Sequence, residues 1–122
     1  MTELTKEDRI VRSILIDRAS RGKTITYSEL IPEAKLRLDM SSPYDRGVMG
    51  EILGRIVEYE HGFGRPMLSS VVLSKDGQQG DGFFKIAESL GYGSWKNLKK
   101  GLKFEFDQMN QTFEYWRKHK DI

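Results

Sequence analysis

Two histidines, His61 and His119, are the only imidazoles in the chain. A helical metal site places two such ligands three or four residues apart, so that both reach one ion. These two are far apart and neither has a companion at that spacing, so no metal site and no cofactor are expected. Glu58 and Glu60 are two residues apart, a spacing that sends their carboxylates to different sides of a helix rather than into an acid–base pair. There is no cysteine, which removes thiol nucleophiles, thiolate metal ligands and disulfides together. Ser69 and Ser70 lie in an apolar run without a Gly-x-Ser-x-Gly elbow and without a nearby base. They read as strand serines whose hydroxyls find backbone partners. No complete catalytic constellation emerges, and the chain leans away from being an enzyme.

Binding chemistry has more candidates. Gly77, Gly80 and Gly82 precede a helix expected to begin near Phe83, with Lys75 and Lys85 close by. Backbone N–H groups there have two readings, a phosphate cradle or simple turn chemistry, with Asp81 as the helix cap. Lys96, Lys99, Lys100 and Lys103 stand beside aromatic residues, either as a solvated helix face or as phosphate contacts. The most unusual stretch starts at Ser42-Pro43, a helix-start pair. Val48, Met49, Ile52, Leu53, Ile56, Val57 and Tyr59 then repeat at helical spacing. Opposite them fall Gly47, Gly50 and Gly54, with Arg46 and Arg55 beside them. Each interior glycine costs a helix about 0.5–1 kcal/mol relative to alanine. Three on one face point to a close approach, either by another part of this chain or by a bulky partner such as a nucleic-acid backbone.

These groups need elements to hold them. A first helix is expected over Thr5–Arg21, with Ile10, Val11, Ile14, Leu15 and Ala19 buried and Gly22 at its end. A β-branched run at Thr24–Thr26 leads into a second helix from Tyr27, capped by Thr26 or Ser28 and limited by Pro32. Leu36, Leu38 and Met40 alternate with charges, which allows a short extended piece. The glycine-faced helix runs to about Glu60-His61, where a cationic His61 would be favoured. Met67–Ser74 reads as an apolar strand turning at Lys75-Asp76-Gly77. Trp95, Leu98, Leu102, Phe106, Met109, Phe113 and Trp116 follow in steps of three and four. They predict one long, buried C-terminal helix, with pairing to a second copy or to a protein partner as the other use of so apolar a seam.

A chain of 122 residues makes one domain, 1–122, with a core of its own. The formal net charge of +2 permits a nucleic-acid partner without requiring one. Met1–Glu7 is polar and no 18-residue apolar run exists, so a soluble, cytoplasmic protein with no membrane partner is expected.

In sequence order, Ile25-Thr26-Tyr27-Ser28-Glu29-Leu30, Arg46-Gly47-Val48-Met49-Gly50, and Pro66 through Val71-Val72 to Asp76-Gly77 and Gly80 resemble one family. It is the winged-helix-like C-terminal domain of alkylguanine-DNA alkyltransferases and alkyltransferase-like proteins, over residues 24 to 91. The resemblance implies minor-groove DNA binding with a flipped base. It implies that Tyr27 helps turn the nucleotide out, that Arg46 enters the stack in its place, and that Gly47 and Gly50 let the helix lie close. Met67, Leu68, Ser69 and Ser70 stand where the family carries Pro-Cys-His-Arg, so thiolate alkyl transfer is excluded. The expectation is therefore a mainly helical α+β domain with a winged-helix-like centre, a small β-hairpin or wing, and a long C-terminal helix. Its expected function is non-enzymatic DNA binding through Tyr27, Arg46, the glycine face, Arg55, Lys75, Lys85 and the Lys96–Lys103 patch. The alternative is a protein-interaction or small-ligand module on the same scaffold.

Overall fold

The computed structural model describes residues 2–119. Helix α1 (Lys6–Ser20) opens with a capping box: the Asp8 N–H donates to Thr5 Oγ1, and the Thr5 N–H donates to the Asp8 carboxylate. It buries Val11, Leu15, Ile16 and Ala19, while Ile10 faces solvent against expectation. Strand β1 (Ile25–Thr26) runs straight into α2 (Tyr27–Glu33), where Thr26 and Glu29 repeat the capping box. Pro32 lies within α2 and the helix stops one residue later. Lys35 closes it in the left-handed region at φ 55°, a place glycine usually takes.

Residues 35–41 form no strand, yet Leu36, Leu38 and Met40 are half-buried while Lys35, Arg37, Asp39 and Ser41 are exposed. The alternation in the sequence is real: it lays a loop along the core without sheet pairing. Helix α3 (Pro43–Gly62) follows, capped by Ser42, and buries Met49, Ile52, Leu53, Ile56 and Val57. The expected strand over Met67–Ser74 is mostly a 3₁₀ turn, Leu68–Val71, followed by the two-residue β2 (Val72–Leu73). β2 is not a limb of a hairpin. It pairs in parallel with β1, Ile25 opposite Val72 and Thr26 opposite Leu73. Residues 74–78 make only a tight turn, in which the Gly77 N–H donates to Ser74 O and the Ser74 N–H to Gln78 O.

Helix α4 (Asp81–Ser89) and the one-turn α5 (Trp95–Leu98) lead to α6 (Lys103–His119). Gly80, not Asp81, is the N-cap of α4. The expected single helix from Trp95 to Trp116 is broken, because Gly101 and Leu102 both adopt positive φ (81° and 72°). Its apolar seam therefore divides. Trp116, fully buried, joins the main core of α1, α2, α3 and both strands. Trp95 and Leu98 pack on a second cluster of Val57, Met67, Phe83, Phe84 and Ala87. Leu102 and Phe106 remain about half exposed, at 55% and 49%. The fold is thus α+β and mainly helical, with a small parallel sheet and a long C-terminal helix. No helix among the described residues is long and apolar enough to cross a membrane.

Candidate functional site

Parallel pairing of β1 with β2 brings the start of α2 beside the turn after β2. That juxtaposition opens a cleft of about 730 Å³. Tyr27, Ile31 and Pro32 of α2 form one wall, Leu38, Asp39 and Met40 of the following loop another, and Ser74, Lys75 and Gly80 a third. Arg46, from the first turn of α3, completes the lining. Three residues singled out from the sequence, Tyr27, Arg46 and Lys75, thus meet at one place.

Each is prepared differently. Tyr27 is half-buried, and burial pushes its hydroxyl above the usual tyrosine value, so it stays a neutral donor. Arg46 is exposed. Its Nη1 donates to Met40 O at 2.9 Å, and its remaining donors have no partner among the described residues. Lys75 is exposed with no ion-pair partner among the described residues. Asp39 also lines the cleft, but its Oδ1 accepts from the Ser41 N–H and hydroxyl at 2.9 and 2.7 Å. Those bonds lower its pKa and occupy its charge locally.

A smaller hollow of about 80 Å³ adjoins this cleft, sharing Tyr27 and Gly80 with it. It reaches Gly50 on α3, Gly82 and Ile86 on α4, and Ser69 of the 3₁₀ turn. Ser69 is buried and its hydroxyl has no hydrogen-bond partner. Ser70 instead meets the Thr112 hydroxyl at 3.0 Å. Neither serine behaves as the strand reading expected.

The glycine face divides as well. A Cβ at Gly47 or Gly50 would meet nothing within 4 Å, so both are open to solvent. A Cβ at Gly54 would sit 3.6 Å from Ile86 Cδ1, which makes Gly54 the place where α4 packs on α3. Arg55 is withdrawn from any outward role: its Nε and Nη2 donate to the two Asp8 oxygens at 2.7 and 3.1 Å. Apart from Lys75, the lysines singled out from the sequence do not line the cleft. Lys85 and Lys96 lie over the Trp95 ring, at 5.0 and 5.8 Å from its centroid. Lys99 pairs with Asp81 and Lys103 with Asp107, both at the surface, while Lys100 is exposed without an ion pair among the described residues. Such exposed pairs are weak and exchange readily.

His61 lies edge-on to Tyr92 and His119 stacks on Tyr115, each in the last turn of a different helix, α3 and α6. Among the described residues no three metal-ligating side chains come together. The loop residues Leu38, Asp39 and Met40 are cleft walls that sequence reading did not assign. Their alternating pattern was visible, but nothing in it says what they face. No protein-family model matches this chain, and neither a curated protein nor a solved structure matches it.

Proposed function

We propose that this chain is a non-enzymatic DNA-binding protein of winged-helix-like design. The observation that carries the reading is the meeting of Tyr27, Arg46 and Lys75 at one cleft, beside a stretch of α3 left bare at Gly47 and Gly50. Glycine at both positions lets a backbone come nearer to the helix than side chains would allow. Arg46 offers unpaired planar donors for a phosphate or for a base edge. Lys75 adds a point charge on the far rim, and the neutral Tyr27 hydroxyl places no negative charge opposite a phosphate. The resemblance of residues 24–91 to alkyltransferase-like domains supports the same roles for Tyr27 and Arg46. Arg55 and Gly54 leave the contact set, because Asp8 and Ile86 already occupy them.

A second reading has its own support. Ile31, Pro32, Leu38 and Met40 make most of the cleft wall apolar, and its volume suits a small ligand or a peptide side chain. Fluorescence anisotropy with a labelled duplex at physiological salt separates the two. Arg46→Ala is expected to weaken duplex binding by about 1–3 kcal/mol. Gly50→Leu is expected to weaken it at least as much, by blocking approach rather than by deleting a contact. Parent affinity should fall steeply with added salt. Absence of binding at roughly 50 μM protein, or indifference to both substitutions, rejects the DNA reading in favour of the ligand module.

A further inference from the structure

Glu105 is 8% exposed, its Oε1 is fully enclosed without a hydrogen-bond partner, and the carboxylate makes no ion pair among the described residues. Buried carboxylates are ordinarily paired, because desolvation penalises the charge. This one lines a shallow depression between the turn after β2 and the first turns of α6, together with Leu73, Gln78, Leu102, Phe106 and Met109. Leu102 and Phe106 rise beside it, both about half exposed. Leu102 is held outward by a left-handed backbone at φ 72°, a conformation unfavourable for a residue with a Cβ. An enclosed acid without a partner, two projecting apolar side chains and a strained backbone coincide in one patch.

We infer that this patch is a self-association surface on which the Leu102 and Phe106 side chains repack against a second copy and open the enclosed Glu105 to a lysine of that copy. The occupant follows from charge. The acid lacks a base, and the adjoining turn, Lys99-Lys100-Gly101-Leu102-Lys103, carries Lys100, an exposed base without an ion pair among the described residues. One short segment thus presents an unpaired acid, an unpaired base and two exposed apolar side chains. A two-fold interface needs such a self-complementary set, since each copy supplies what the other lacks. Apolar residues around the pair would exclude water from it and strengthen it. The interface is small, so the dimer is weak and concentration-dependent. It requires neither the Tyr27 cleft nor nucleic acid.

Sedimentation velocity on the full chain without DNA, from about 1 to 300 μM, tests the inference in the range where weak dimers appear. A reversible monomer–dimer equilibrium is expected. Leu102→Asp should abolish it, and Lys100→Glu, at an exposed position that the fold does not use, should weaken it about tenfold or more. Glu105→Gln should weaken it similarly, while the melting temperature of the dilute protein stays level or rises, because a buried carboxyl group without a partner has been replaced by an amide. A parent that stays monomeric throughout overturns the proposal. So does an association constant indifferent to Lys100→Glu, or a lowered dilute melting temperature for Glu105→Gln, which would reveal a partner within the chain.

Discussion

Helix α3 carries arginines at both ends of one polar side, yet its halves live in different surroundings. Around its first turns Arg46 is exposed, and a Cβ at Gly47 or Gly50 would meet nothing within 4 Å. Further along, α1 runs beside it. Arg55 is clamped to Asp8, while the fully buried Glu60 takes Arg12 from α1 and Arg65 from beyond the helix end. Those two guanidiniums also stack over Tyr59 and Trp116. One half is thus a surface and the other a joint. A charged residue becomes available for a partner only where no neighbouring helix has already claimed it.

Disrupting the joint should give the largest effect. Glu60→Ala leaves two buried or half-buried guanidiniums without their shared acid, and a loss of about 3–5 kcal/mol is expected in urea denaturation. Arg46→Ala at the other end should change stability by no more than about 0.5 kcal/mol. Equal losses from the two would erase the distinction between the halves.

Acid titration sharpens the same contrast. Burial alone would raise the Asp8 carboxyl, but the Arg55 guanidinium and the Thr5 N–H outweigh it and hold it below the ordinary 3.8. A depressed folded value means that the stabilisation is complete above 3.8 and is lost as pH falls through the lower folded value. Melting temperatures recorded from neutral pH downward should therefore fall more steeply below about pH 4 in the parent than in Asp8→Asn. At neutral pH that variant should already be about 1.5–3 kcal/mol less stable. Parallel acid limbs for the two proteins would show that Asp8 contributes nothing there.

The smallest effect concerns the glycines. Gly50→Ala should stabilise the chain by about 0.5–1 kcal/mol, since its Cβ enters open space on a helix. Gly54→Leu should instead destabilise it by about 1–3 kcal/mol, because the added carbons meet Ile86. Thermal denaturation giving the same sign for both would mean that the open and packed parts of the glycine face are alike.

Local signals carried much of this fold. Thr5 with Asp8, Thr26 with Glu29, and Ser42-Pro43 mark three helix starts that the structure keeps, because caps depend on residues only three apart. The glycine-faced helix and its buried stripe were legible for the same reason. The break at Leu102 was not. Steps of three and four continue through Gly101-Leu102, and only packing against two separate cores explains why the chain turns there. The run Met67–Ser74 was equally misleading, since an apolar segment under a helix looks like a strand until its partners are known. Its Met67 N–H donates to Gln108, 41 residues later, where a sheet neighbour was expected. At the cleft, Arg46 and Tyr27 could be picked out by type, whereas the commitment of Arg55 to Asp8 depends on a helix 47 residues away in sequence.

The parallel register of Ile25 with Val72 has a kinetic consequence. Parallel strands cannot be closed by a short turn, so this ladder is closed only across the whole stretch between Thr26 and Val72. Closing so long a loop loses chain entropy before the pairing returns any free energy, which makes it a slow, late event in folding. During synthesis the walls of the cleft would thus emerge separately. Tyr27 and Arg46 leave the ribosome well before Lys75 and Gly80, and a nascent chain halted short of Val72 has no cleft at all.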